Sequence, residues 1–146
     1  MSTTLAVVPA LGTDPQPDAA FNPKVSTKRA LVVDDNPDIA DMLAVVLRHA
    51  GYEATAAYSP SDALSRALAE HFDVIVSDIG MPGMNGYELA RALREIPEYS
   101  AVPMVAVTGF AMYDDRERAL AAGFNTHLSK PIDPLALTRA LSGIRH

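Results

Sequence analysis

Arg29-Ala30-Leu31-Val32-Val33-Asp34-Asp35-Asn36-Pro37 is the stretch from which the fold can be read. Its first five residues carry an apolar run with no polar alternation, the mark of a strand covered on both faces. Asn36 can then cap a helix whose first position suits Pro37. Ile39, Met42, Leu43, Val46 and Leu47 follow at helical spacing, and Gly51 ends the helix. An acidic pair therefore sits where a strand hands over to a helix.

The same hand-off recurs along the chain. A strand over 52–57 leads to Ser59-Pro60, a second cap-and-proline start, and Ala63, Leu64, Ala67 and Leu68 repeat the helical stripe. A strand over 73–77 runs into Asp78 and a turn-rich loop, Gly80 to Gly86, before a helix from about Tyr87 to Glu95. A strand over 103–107 hands off to Thr108, and a weaker helix is expected over 112–122. A short strand near 126–128, with the apolar run at His127-Leu128, hands off to Lys130, and Asp133-Pro134 opens the last helix. Five βα units predict an α/β fold with a parallel sheet in a three-layer sandwich. Right-handed crossovers then bring every strand's carboxyl end to one side.

Composition narrows the possible functions. The chain has 146 residues, 49% of them hydrophobic, which suits one domain over 29–146. A net charge of -6 and a pI near 5.0 give no broad basic field, so no direct nucleic-acid contact is expected. With no cysteine there are no disulfides and no thiolate-bound zinc, which is compatible with the cytoplasm. Residues 1–28 are punctuated by Pro9, Pro15, Pro17 and Pro23 and read as a disordered tail. Its apolar patch, Leu5 to Val8, is too short for a signal-peptide core or a membrane span. A short docking peptide is the other reading of that patch.

Asp34, Asp35 and Asp78, gathered from two strand ends, would repel one another unless a cation joined them. Oxygen-only ligands favour magnesium over zinc. Asp35 and Asp78 are expected to bind it directly, Asp34 directly or through water, and a backbone carbonyl just past Asp78 completes the protein's share. Lys130 and Thr108 could then meet the charge of a phosphoryl group. Asp78 stands alone before a glycine-rich loop and is the best candidate nucleophile, since a carboxylate can attack phosphorus to give an acyl phosphate. Taken singly, the acids are ordinary loop residues, Thr108 a helix cap and Lys130 a solvated lysine; their joint placement at strand ends is what points to one site.

The landmarks Val32-Val33-Asp34-Asp35-Asn36, Ser77-Asp78 with the loop to Gly86, Val107-Thr108-Gly109 and Leu128-Ser129-Lys130-Pro131 resemble the receiver domain of bacterial two-component response regulators. The resemblance covers about 29–144. It implies a flavodoxin-like (βα)5 fold of strand order 2-1-3-4-5, and a phosphoryl group received on Asp78 from a histidine kinase or a histidine phosphotransfer protein. It also implies Asp34 and Asp35 as the metal pair, the Gly80 carbonyl as the backbone ligand, Thr108 and Lys130 on the phosphoryl group, and a cis Lys130-Pro131 bond. Gly80 and Phe110 would flank the path of a hydrolytic water.

One position departs from the family pattern. Three residues before the lysine, where most receivers carry Tyr or Phe that rotates with the threonine, stands His127. A rotating switch and a fixed histidine are both open readings. The helix over 112–122, with Asp114, Asp115, Arg116, Glu117 and Arg118, is either a solvated face or part of a partner surface remodelled by phosphorylation. The chain ends at His146, just beyond the last helix, which suggests either a stand-alone receiver that passes its signal on by protein contacts, to a partner the sequence does not name, or equally a receiver excised from a hybrid kinase. A metal-dependent phosphohydrolase and a receiver-like module that is never phosphorylated are the competing classes.

Overall fold

The computed structural model describes residues 28–109 and 115–144. Five strands, β1 (Arg29–Val33), β2 (Glu53–Ala57), β3 (Val74–Asp78), β4 (Met104–Thr108) and β5 (Thr126–Ser129), form one parallel sheet in the order 2-1-3-4-5. The helices are α1 (Pro37–His49), α2 (Pro60–Ala69), α3 (Gly86–Arg94), α4 (Asp115–Ala122) and α5 (Pro134–Ile144). The expected tail lies outside the described residues except for Lys28, and so does Phe110.

The unbroken apolar strands do what two-sided cover requires. Ala30, Val32, Val74, Val76, Val105 and Val107 pack against Leu43 and Leu47 of α1 and Leu137 and Leu141 of α5. Leu31, Val33, Ile75, Met104 and Ala106 face the other way, toward α2, α3 and α4. This gives the three layers read from the sequence.

Local chemistry sets the helix starts. The Asn36 side chain accepts from Asp38 N and the Ser59 side chain from Asp62 N, each just ahead of a proline in the first turn. Gly51 takes a φ of +99°, the left-handed conformation that closes α1. At α3 the cap is Asn85, which accepts from Glu88 N at 3.0 Å while Asn85 N donates to the Glu88 carboxylate at 2.9 Å. This reciprocal capping box starts the helix at Gly86, one residue earlier than the spacing of apolar residues indicates.

The strand ends also move. Tyr52 N bonds to Leu47 O, so Tyr52 belongs to the turn after α1 and β2 begins at Glu53. Asp78 and Thr108 are the last residues of their strands and not the first of their loops, because each still has a register partner, Val107 and Ser129 respectively. β5 likewise extends to Ser129. The described part of the fourth helix begins at Asp115; 112–114 of the expected span lie outside the described residues.

A 3-10 turn at Pro97–Tyr99 was not indicated by periodicity, being too short to show any. It buries Tyr99 completely, with its hydroxyl 2.8 Å from Ala67 O and 2.7 Å from Glu70 O at the end of α2. Arg94 completes this seam by donating to Tyr99 O, Val102 O and Gly123 O.

Candidate functional site

Parallel strands deliver the sequence-predicted residues to one edge of the sheet. Asp34 leaves β1 with its N–H on Ala57 O and its Oδ1 accepting from Asn36 N at 2.9 Å. The turn that starts α1 thus also orients this carboxylate, and the helix N-terminus favours its charge. Asp34 is fully buried, whereas the neighbouring Asp35 is exposed. Asp78 reaches the same place from β3. One oxygen from each of Asp34, Asp35 and Asp78 lies within 4.8 Å of the others.

Lys130 enters from the end of β5, held by its N–H on Thr108 O at 2.8 Å. Its Nζ stands 3.1 Å from Asp78 Oδ1 and 3.3 Å from Asp34 Oδ2. The adjoining Lys130-Pro131 bond is cis. Burial first, then the nearby Asp34, push the Asp78 carboxyl above its ordinary pKa, and Lys130 only partly opposes them. The ionised form of Asp78 is thus held less favourably here than in water. Burial works against the charge on Lys130, but its bonds to Asp78 and the two carboxylates' charge outweigh it and raise its pKa.

Asp78 is less open than its loop suggested: its side chain is 5% exposed. Thr108 is also buried, and its Oγ1 has no hydrogen-bond partner among the described residues. A buried hydroxyl without a partner is unfavourable unless something comes to it. Gly80 lies in the exposed loop two residues past Asp78. His127 is half-buried at the middle of β5, paired in register with Ala106. Because residues two apart share a sheet face, it lies on the same face as Thr108, the one covered by α4. On that helix Ala119 and Ala122 are buried, and Arg118 lies over the Tyr87 ring of α3 at 4.6 Å.

Two residues gain roles that spacing did not reveal. The buried Ser77 hydroxyl donates to Asp78 O at 2.9 Å. Gly86 is where α3 begins hard against the end of β3, and a Cβ there would stand 2.3 Å from Asp78 O and 2.8 Å from Ile79 Cα. Both obstacles are backbone and cannot swing aside. Gly86→Ala is therefore expected to destabilise the protein by about 1–3 kcal/mol, as overpacking does. Urea unfolding will measure it; a midpoint equal to wild type would mean that the junction yields freely. The sequence offered Gly86 only as part of a glycine-rich loop.

The family model for the response regulator receiver domain matches residues 30–142. The chain belongs to that family. This receiver is 44% identical over 109 residues to an uncharacterized 14.6 kDa protein of Leptolyngbya boryana, covering 75% of this chain and 83% of that one. It is 36% identical over 102 residues to the sensor histidine kinase RcsC of Escherichia coli strain K12, covering 70% of this chain but 10% of that protein. Among solved structures, the chemotaxis protein CheY4 of Vibrio cholerae superposes with a TM-score of 0.78 at 33% identity, covering 82% of this chain and 99% of that one. The receiver domain is thus a two-component signalling module, and its acidic cluster is of a kind compatible with a divalent cation. No helix among the described residues is long and apolar enough to cross a membrane.

Proposed function

We propose that this receiver takes a phosphoryl group onto Asp78 from a phosphohistidine of a sensor kinase or phosphotransfer protein, and changes its protein contacts in response. The observation that carries the reading is the convergence of Asp34, Asp35 and Asp78 with Lys130 near the buried hydroxyl of Thr108, which has no partner among the described residues. In the transfer, an Asp78 oxygen forms the new O–P bond as the N–P bond breaks, and the electron pair returns to the donor imidazole. Lys130 meets the phosphoryl charge by shifting its ion pairs, and Thr108 supplies a hydrogen bond from its free hydroxyl. Water later attacks phosphorus, releasing inorganic phosphate and restoring the carboxylate. The protein acts on itself, with no conventional substrate turnover, and works in the cytoplasm.

The donor set fits magnesium, being oxygen throughout and able to leave positions for water and phosphate. Asp34, Asp35, Asp78 and the Gly80 carbonyl would hold it. When bound, it supplies positive charge that offsets the carboxylates and the transferring group. The Thr108 and His127 positions, on one face beneath α4, provide the route by which the phosphorylated state would reach a partner surface. Residues 29–146 form the receiver unit on this reading.

Intact-mass measurement after incubation with acetyl phosphate and magnesium tests it. One added phosphoryl group, labile to hydroxylamine as an acyl phosphate must be and missing when magnesium is chelated, is the expected result. An unmodified mass under these conditions would leave the never-phosphorylated module as the better reading.

A further inference from the structure

The outer face of α1 is built unlike a solvated helix face. Beyond Pro37 its exposed residues are Asp38, Asp41, Met42, Val45, Arg48 and His49, which follow one another at the three- and four-residue spacing of a single helix side. Met42 and Val45, about one turn apart at its middle, each leave 45% of their surface open. Beside them a groove of about 420 Å3 runs between α1 and the start of α5, with Val46, His49 and Ala50 on one wall and Pro134, Leu135 and Thr138 on the other. Leu135 is itself 63% exposed. Among the described residues, α2 and α4 expose one large apolar residue each, Leu68 and Leu120, and single ones are ordinary. The α1 and α5 residues form a patch.

The charges along the row identify what fits it. Both acids lie toward the start of α1, and the basic side chains lie toward its end. Asp38 and Arg48 suit the helix dipole, but Asp41 stands past the first turn, where that effect has faded. A row that runs from acidic through apolar to basic is complementary to its own reverse. Two copies related by a two-fold axis would pack α1 antiparallel, so that Met42 faces Val45 of the other copy and Arg48 comes alongside its Asp38 and Asp41. Each contact then occurs twice, as an isologous interface requires. Both charges are held in place for this. Asp41 accepts from the Tyr58 hydroxyl at 2.7 Å through Oδ1 and has a second oxygen to offer. Arg48 spends one Nη on Ala54 O at 2.9 Å, and a guanidinium carries five N–H donors. An anionic lipid surface, by contrast, would be repelled by the two acids.

We propose that this face joins two copies of the chain, with Met42 and Val45 at the centre of an antiparallel α1 pair, Leu135 at its border, and Arg48 of each copy paired with Asp38 and Asp41 of the other. The helix is about 20 Å long, so the contact belongs to the small class, under about 1,200 Å2, and the dimer forms reversibly. It does not rest on phosphorylation of Asp78.

Sedimentation equilibrium of the full chain between about 10 µM and about 1 mM should show a monomer-dimer equilibrium. Dilution across that range should shift the Met42, Val45 and Leu135 amide resonances and leave those of α3 in place. Asp41→Lys and Arg48→Glu each set like charges together at both symmetry-related contacts, and each alone should weaken association by at least about tenfold. Mixed in equal amounts, the two variants should associate again, because each supplies the charge that the other lacks. Met42→Glu, at a position already open to water, should abolish the dimer without touching those charges. A monomer throughout the range overturns the proposal. So does a dimer that these substitutions leave unchanged, which places the contact on another face. A mixture of folded variants that associates no better than its components also overturns it, and leaves α1 to a partner other than a second copy.

Discussion

Asp78→Asn should take up no phosphoryl group from acetyl phosphate in the presence of magnesium, and should unfold at a higher urea concentration than the wild type. The first effect follows from chemistry, since a carboxamide of the same shape offers no anionic oxygen to attack phosphorus. The second follows from the setting of the side chain. Asp78 is buried beside Asp34, and both raise its pKa; Lys130, 3.1 Å away, opposes the shift without reversing it. A net upward shift means that the ionised form is disfavoured here relative to the unfolded chain. A neutral isostere removes that penalty while Lys130 keeps Asp34 as its partner, at 3.3 Å. The midpoint should therefore rise with the slope of the transition unchanged. A phosphoryl adduct on the variant would place the acceptor elsewhere; a lower midpoint would mean that the Lys130 attraction outweighs burial and repulsion.

The fold was legible because strands and helices each left a local signature. Val32-Val33, Val74-Ile75-Val76 and Val105-Ala106-Val107 have no polar alternation, and two-sided burial is the physical consequence. Asn36-Pro37 and Ser59-Pro60 announce helices by the chemistry of the first turn, and their side-chain caps form as that chemistry requires. The site's members were legible for a related reason: topology sends every strand's end to one edge, so polar residues just after apolar runs must meet. What could not be read depends on contacts distant in sequence. Whether Asp78 ends a strand or opens a loop is decided by its pairing with Val107. The burial of Asp78 and Thr108 depends on the packing around the edge, and the need for glycine at 86 depends on how close α3 comes to Asp78 O. Tyr99 looks like a surface-loop tyrosine until α2 supplies the two carbonyls that face its hydroxyl.

Those nonlocal contacts bear directly on the chemistry. Ser77 and Gly86 both act on the backbone of Asp78, one by a hydrogen bond to its carbonyl and the other by leaving room for it. Asp34 is held by the start of α1, and Lys130 by Thr108 O. Asp34 and Lys130 are thus anchored to different helix and strand ends, so their arrangement is already present in the unmodified protein. Such preorganisation limits what must rearrange when a charged group enters to the exchange of Lys130's ion pairs.

Lys130→Met is the sharper test of that arrangement, because a side chain of similar length without charge separates electrostatics from space filling. Losing a preorganised charge contact to the transferring group should slow phosphorylation by at least about a hundredfold at saturating magnesium. Its effect on metal binding should have the opposite sign. The ammonium sits between Asp34 Oδ2 and Asp78 Oδ1 and so competes for carboxylates that magnesium would use. Without it, the metal-free protein keeps its crowded acids with less compensation and should be less stable. The same protein should gain more from magnesium than the wild type does, since ligand binding to the folded state raises stability according to affinity. Paired thermal melts with and without magnesium will show a larger metal-dependent rise in the variant, and calorimetric titration will show tighter binding. Phosphorylation at the wild-type rate would remove Lys130 from the transfer step. A smaller metal-dependent rise would show that Lys130 helps position the carboxylates for the metal instead of competing with it.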